Sequence, residues 1–458
     1  MKTVFLFLST RIYISDALHT PYIDELAKKY RVLVFLPVLK GSKNKIDTSK
    51  YYQHKNVSYH TLPDPRGKFW TLFDVLLRNE FVRRHDHTIP IQWRDKWKRK
   101  ADKRRVFLHN IARLFPRKFF SVEFFSFLEK HFMPDFALFK TYAKKYKPHL
   151  VLVSTPGFIP FDAYAIGCAH KMKIPTVAFN FSWDNLTSYP RHIRKTKYLV
   201  CWNNFLKEKA FNLHNYAKGN VFVGGVIRFD HYLRTLKGET AREEFLKSHR
   251  LDPNRKTVLY AARSHGTYFK EFIQTLIKWQ KEDAFVEPIN LFIRVHPLDT
   301  LDDYKEFANV PNVIVSLSGS PQSNTVSGRN NIETEAKDWV IKKDTIRHCD
   351  ICLNLVSTFT LEAFIFNKPV INFGFVDHYS GILKFPHYAP LVEVGASRVA
   401  ETIDDTKKYI NMYLKDPSRD TAERAMIVKR FVEPTDGYSY KRNVGFLEEI
   451  LEKEYAKK

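Results

Sequence analysis

A chain of 458 residues exceeds the roughly 250 to 300 residues at which a single hydrophobic core stops growing, so two domains of similar size are expected. With 44% hydrophobic and 27% charged residues the composition is that of an ordinary globular protein and excludes fibrous and disordered classes, while a formal charge of +25 draws the chain to polyanions and anionic membranes. Four cysteines make no disulfide framework and point to a reducing compartment, by default the cytoplasm.

The opening MKTVFLFLST reads as a buried first strand, because its apolar run Val4 to Leu8 is too short for an export signal and no small-residue cleavage site follows. No uninterrupted apolar stretch approaches the ~20 residues of a membrane-spanning helix. Short apolar runs then alternate with helical patterns, as in a parallel sheet covered by helices. They predict strands at 3–8, 31–36, 57–61, 149–153, 175–180, 197–201 and 221–223. Asp16 to Lys29 is expected as the first crossover helix, with Ala17, Leu18, Ile23, Leu26 and Ala27 on its apolar stripe.

Residues 64–145 break this rhythm and read as a helical insertion, since the segment is too long and too apolar for a plain loop. Within it, Arg94 to Arg105 carries eight Lys or Arg against two Asp, and Trp93 and Trp97 stand four apart. One helix face can therefore be apolar and another cationic, as on an anionic membrane surface, although a solvated charged face beside a packed aromatic face gives the same pattern.

The pattern restarts after 224–252, giving expected domains of 1–235 and 236–435 and a closing helical segment of 436–458. Strands are predicted at 256–261, 290–295, 312–316, 350–355 and 369–373. Residues 317–334, rich in Ser, Asn, Gly and Gln, read as a mobile loop. Cys349 and Cys352 flank an apolar run and read as buried strand cysteines rather than a metal or redox pair.

Ligands of open parallel sheets bind beyond the carboxyl ends of the strands, which singles out three places. Arg263, Ser264, His265 and Gly266 follow 256–261 and combine a cation, a hydroxyl and an imidazole with a flexible glycine, suited to phosphate or base contacts or equally to a charged loop. In LFIRVHPLD, strand alternation puts Arg294 and His296 on one face and Pro297 stops the strand, aiming two cations at one spot; a surface ion pair and a capped turn are the alternatives. In LNLVSTFTLEAF, Ser357 and Thr358 open a helix whose dipole favours anions. Glu362 lies a turn inside, positioned to accept two ribose hydroxyls or simply to sit exposed near the helix start.

The order of RxHP at a strand end, a Ser-Thr helix start with Glu a turn later, and KPV after it resembles the nucleotide-binding domain of GT-B enzymes over about residues 256–445. Similar patterns occur in bacterial surface-polysaccharide transferases, including CDP-glycerol glycerophosphotransferases and the Kdo or sialic acid transferases with an HP motif. The last segment, with Asp436, Gly437, Tyr438 and Arg442, is similar to their closing helix. The resemblance implies two Rossmann-like doubly wound domains facing across a cleft. It carries donor phosphates to Arg294, His296, Ser357 and Thr358 and the ribose to Glu362, with Arg263, Ser264 and His265 as further donor contacts.

No Asp-x-Asp occurs in the chain, so the expected leaving-group stabilisation comes from His296, Arg294 and the helix dipole, with no metal or other cofactor. The N-terminal domain would supply a base for an inverting transfer. Asp184 is the candidate, with Thr155, Gly157, Trp183 and Asn185 as acceptor contacts and Asp16 and His19 in reserve; Asp-Asn after a strand is also ordinary turn chemistry.

The expected activity is glycosyl transfer from a nucleotide-activated sugar to a cell-surface polysaccharide or lipid-linked glycan, by a cytoplasmic enzyme held on the inner face of the membrane. A CDP-polyol phosphotransferase of teichoic-acid type and a nucleotide-sugar epimerase share the donor pattern. A nucleic-acid-binding protein would explain the charge, but no recognised nucleic-acid module appears, so no nucleic acid partner is expected.

Overall fold

The computed structural model describes residues 1–38, 47–63, 107, 127, 136–180, 182–188, 194–262, 267–295, 301–317, 320–321, 332–333, 335–376 and 381–456. These divide into two compact units, 1–225 with 440–458 and 226–439. The break after Gly225 lies ten residues before the boundary at 235/236 expected from sequence. Among the described residues no helix is long and apolar enough to cross a membrane.

The first unit holds seven parallel strands: β1 (Thr3–Phe7), β2 (Arg31–Val38), β3 (Val57–Pro63), β4 (Leu150–Val153), β5 (Thr176–Phe179), β6 (Tyr198–Cys201) and β7 (Val221–Val223). Their order is β3-β2-β1-β4-β5-β6-β7. Every residue of β1 and β4 is buried, the state expected of a parallel strand covered on both faces. Stacked and edge-on rings fill one face, with Phe35 4.6 Å from Phe7 and 4.9 Å from Phe5.

The single crossover helix expected over Asp16 to Lys29 is two helices, Arg11–Leu18 and Tyr22–Lys29. The first starts earlier because Thr10 caps it by accepting from the Tyr13 N–H. It ends before Pro21, whose ring cannot continue a helix but suits the start of the next. The expected insertion at 64–145, with Trp93 and Trp97, lies outside the described residues except for residues 107 and 127 and its end. That end runs into the helix Ala137–Tyr146, which sets Phe139 5.9 Å from Phe5.

The helix Ser439–Tyr455 returns the chain to this unit from Tyr440 onward. Phe446 lies 4.8 Å from Phe222, Asn443 Nδ2 donates to the Gly224 carbonyl at 3.0 Å, and the Tyr455 hydroxyl donates to the His149 carbonyl at 3.0 Å.

The second unit has its own parallel sheet of β8 (Lys256–Ala261), β9 (Ile289–Val295), β10 (Val313–Leu317), β13 (Ile351–Asn354), β14 (Val370–Phe373) and β15 (Arg398–Ala400). Its order is β10-β9-β8-β13-β14-β15. The segment expected as a mobile loop at 317–334 contains β11 (Ser320–Pro321) and β12 (Ile332–Glu333), which pair antiparallel. Cys349 and Cys352 are buried free thiols with sulfurs 3.4 Å apart, Cys352 within β13.

Each sheet reverses direction beside its first strand, between β1 and β4 in one unit and between β8 and β13 in the other. That reversal opens a crevice at the carboxyl ends of those strands, and the polar residues of interest stand there.

Candidate functional site

In the second unit β9 runs between β8 and β10, with Arg294 level with Ala261 and Ser316. Its backbone carbonyl accepts from Ala262 N–H at 2.9 Å. The side chain is only 5% exposed, which removes the surface ion pair as its explanation. Among the described residues its one side-chain hydrogen bond is long, 3.4 Å from Nη1 to Thr345 Oγ1 on the helix Ala336–His348, and Nε is buried without a partner. Burial pulls the guanidinium below its ordinary value, against the favourable negative charges of Asp338 and Glu362.

Glu362 lies on the short helix Phe359–Ile365 and is 3% exposed, so it is not a solvated helix-start carboxylate. Lys342, from the helix Ala336–His348, reaches it with Nζ 2.9 Å from Oε1 and 2.7 Å from Oε2. The ammonium also lies 5.5 Å from the Trp339 ring and 5.8 Å from the Tyr232 ring, a favourable placement of a cation over aromatic faces. Burial drives the Tyr232 phenol well above its ordinary value and the Glu362 charge adds to the rise.

The start of the Glu362 helix is fastened from beneath. Ser357 Oγ donates to Asn354 Oδ1 at 3.1 Å and accepts from the Phe359 N–H at 3.2 Å, so the Ser357 hydroxyl is engaged within its own turn. Thr358 is the N-cap residue, with no side-chain capping bond. Asn354 Nδ2 donates to Thr360 Oγ1 at 2.8 Å, Thr360 Oγ1 lies 2.7 Å from the Tyr388 hydroxyl, and Tyr388 donates to Asn372 Oδ1 at 2.8 Å. Between strand and helix, Val356 has φ of +40°, a strained conformation for a β-branched residue at the point where the chain must turn sharply.

The structure therefore brings Arg294 and Glu362 into one buried cluster and sets Ser357 and Thr358 at the start of the helix that carries Glu362. Arg263, Ser264, His265 and His296 lie outside the described residues. Sequence reasoning missed Lys342 and Tyr232, which belong to helices rather than strand ends. The signal available for Lys342 was its place in AKDWVIKKDTIRH, one helix before the Ser-Thr turn.

In the first unit the crevice holds a different group. Thr155 Oγ1 donates to Asp162 Oδ2 at 2.6 Å, Ser154 Oγ to the same atom at 3.0 Å and Ser9 Oγ at 3.1 Å, and the two serine oxygens stand 2.7 Å apart. All four residues are buried. Asp162 enters from the first turn of the helix Pro160–Lys171, and burial raises its carboxyl to about 7, with the hydroxyl donors pulling the other way. Gly157 follows with φ of +118°, and a Cβ there would come within 1.9 Å of the Arg194 carbonyl oxygen, so only glycine fits.

Asp184 is partly exposed and accepts a short hydrogen bond from Ser182 Oγ, while its backbone carbonyl accepts from Thr187. Trp183 and Asn185 are both 3% exposed, and Asn185 Nδ2 has no hydrogen-bond partner. Asn180, at the end of β5, is buried with both amide atoms unpartnered. Asp16 is buried in the helix Arg11–Leu18, and His19 lies 5.6 Å from the Tyr51 ring.

Solved structures share the fold over nearly the full length of the chain. One is Staphylococcus aureus MnaA in a co-structure with UDP, at 12% identity and a TM-score of 0.54 over 98% of this chain and 97% of that one. The fold is GT-B. A Neisseria meningitidis UDP-GlcNAc 2-epimerase bound to UDP-GlcNAc shares this GT-B arrangement at 14% identity and a TM-score of 0.53, over 98% of this chain and all of that one. The wall teichoic acid polymerase TagF does so at 11% identity and a TM-score of 0.50, over 98% of this chain and 88% of that one. No protein-family model and no curated protein sequence matches the chain.

Proposed function

We propose that this GT-B chain is a glycosyltransferase that moves a sugar from a nucleotide-activated donor to a cell-surface polysaccharide or lipid-linked glycan. The observation that carries the reading is the buried convergence of Arg294 and Glu362 in the switch-point crevice of the second unit. A guanidinium buried without an ion-pair partner among the described residues calls for an anionic ligand, and the neighbouring carboxylate accepts hydroxyls. A nucleoside diphosphate sugar carries both, with phosphates for Arg294 and His296 and ribose hydroxyls for Glu362.

In this reading the departing diphosphate is stabilised by fixed cations, so transfer needs no metal. Asp184, flanked by Trp183 and Asn185, takes the proton of the acceptor hydroxyl, and Thr155 and Gly157 shape the acceptor side. The enzyme works in the cytoplasm against the inner face of the membrane, to which its net charge of +25 draws it.

Calorimetric binding of UDP, GDP, CDP, CMP and ADP tests the donor site. One nucleotide is expected to bind selectively, and His296→Ala and Glu362→Ala are each expected to weaken it. If no nucleotide binds, or if both variants bind as wild type does, the donor assignment is wrong.

Epimerase and polyol-phosphate transferase readings are favoured by the names of the structural neighbours, which include UDP-GlcNAc 2-epimerases and a teichoic acid polymerase. Turnover separates them. Donor interconversion without any acceptor identifies an epimerase, and appearance of donor phosphorus in the acceptor product identifies a polyol-phosphate transferase, since glycosyl transfer leaves all the phosphorus on the nucleotide.

A further inference from the structure

The helix Ala336–His348 contributes a cation to the Glu362 cluster, and the cluster is out of balance in both hydrogen bonds and charge. Lys342 Nζ straddles the Glu362 carboxylate, but only its contact to Oε1 has hydrogen-bond geometry. Oε2 lies beside the ammonium but accepts no well-aligned hydrogen bond, and Arg294 Nε, Trp339 Nε1 and the Tyr232 hydroxyl are buried without hydrogen-bond partners among the described residues. Native interiors seldom leave such atoms unpaired, and four in one cluster point to a ligand that supplies both acceptors and donors.

The charges point the same way. Lys342, Arg294 and Arg228 act on one another or on Tyr232 at the centre of the cluster, and the carboxylates facing them among the described residues are Glu362 and Asp338. Asp338 is already committed as an acceptor of the Glu335 N–H at 2.9 Å. Burial holds Lys342 below its ordinary value, and the positive charges of Arg294 and Arg228 lower it further, against the pull of Glu362.

We propose that Lys342 and Arg294 together form a seat for a phosphate of the nucleotide donor, and that Glu362 occupies this seat while the site is empty. The inference rests on the donor-site reading above and adds to it a residue and an order of events. A phosphate oxygen takes the place of the carboxylate on Lys342 and satisfies Arg294 Nε. Glu362, released, turns to the ribose hydroxyls, which supply the donors that Oε2 lacks. Lys342 thus keeps a buried carboxylate paired in the empty protein and hands it over when the ligand brings its own anion.

The test is binding to the full chain of the selected nucleoside diphosphate, the corresponding nucleoside and inorganic pyrophosphate. It compares wild type, Lys342→Gln, Lys342→Arg and the double variant Lys342→Gln/Glu362→Gln. Lys342→Gln is expected to weaken the diphosphate by roughly tenfold or more and to change the nucleoside by no more than about twofold, because only the phosphate contact is charge-assisted. Lys342→Arg is expected to keep most of the affinity.

The double variant removes both partners of the Lys342–Glu362 pair and strands neither, so it guards against simple misfolding, and it is expected to fail on pyrophosphate while melting as a folded protein. If wild type binds none of these ligands, the donor-site reading falls and this inference with it. If wild type binds the diphosphate and Lys342→Gln binds it equally, or loses nucleoside in the same proportion, the phosphate seat alone is overturned and Lys342 is a structural ion-pair partner.

Discussion

The two units share a strand order but fill their switch-point crevices with opposite electrostatics. In the first, a single buried carboxyl gathers three hydroxyls, and burial holds it so high that it is about half protonated near neutrality. In the second, cations outnumber carboxylates and the central ion pair leaves hydrogen-bonding capacity unused. Topology alone therefore fixes where a ligand can bind and not what it is. A hydroxyl-lined crevice whose one carboxyl is only partly ionised suits a polyol such as a sugar, and a cationic one suits a phosphate.

The sharpest way to break this contrast is to remove the titration of Asp162. Its carboxyl ionises near 3.8 in the unfolded chain and near 7 in the folded one, so between those values the unfolded state gives up a proton that the folded state keeps. Stability then falls as pH rises, and the full penalty is present above about pH 7. Asp162→Asn has no such proton, so its stability relative to wild type should improve by about 3 kcal/mol between pH 5 and pH 8. Urea denaturation at both pH values measures this. A gap that does not move with pH would mean that the crevice of the first unit is ionised and the contrast false.

On the charged side, Glu362→Ala strips Lys342 of its counter-ion. Because a quarter of the Lys342 side chain is exposed, the cost falls short of that for a fully buried pair, about 2 kcal/mol. Glu362→Gln keeps the shape and loses the charge, so most of the loss should persist in it. Full recovery in Glu362→Gln would show that packing, not charge, organises the second crevice.

Most strands of both sheets were legible from sequence, because parallel strands buried on both faces read as unbroken apolar runs, as in TVFLF and LVLV. β15 was not, since Arg398–Ala400 is a three-residue edge strand with no such run. The early start of the first helix was written in Thr10 and the break after it in Pro21, but the apolar stripe across both helices hid them. Arg294 and Glu362 were legible from strand alternation and from their place after a strand. Lys342 and Asp162 were not, because each reaches the crevice from a helix, and which helical face meets a strand end depends on packing that a single sequence does not display. Ser9 stood at a strand end and was passed over, since a lone serine carries no chemistry until its partners are known.

The smallest effect tests how each crevice is held. In the first unit the polar network is itself the crevice lining, whereas in the second it lies under the helix that carries Glu362. Tyr388 is its keystone, with its hydroxyl 2.7 Å from Thr360 Oγ1 and donating to Asn372 Oδ1 at 2.8 Å, all three residues buried. Tyr388→Phe removes one oxygen and leaves an acceptor at Asn372 unsatisfied, which should lower stability by about 1 kcal/mol. If the network also sets the pitch of that helix, nucleotide affinity should drop with the loss of stability while Asp162-linked pH dependence stays as in wild type. A variant equally destabilised but with unchanged nucleotide affinity would mean that the strained turn at Val356, and not the network beneath it, positions Glu362.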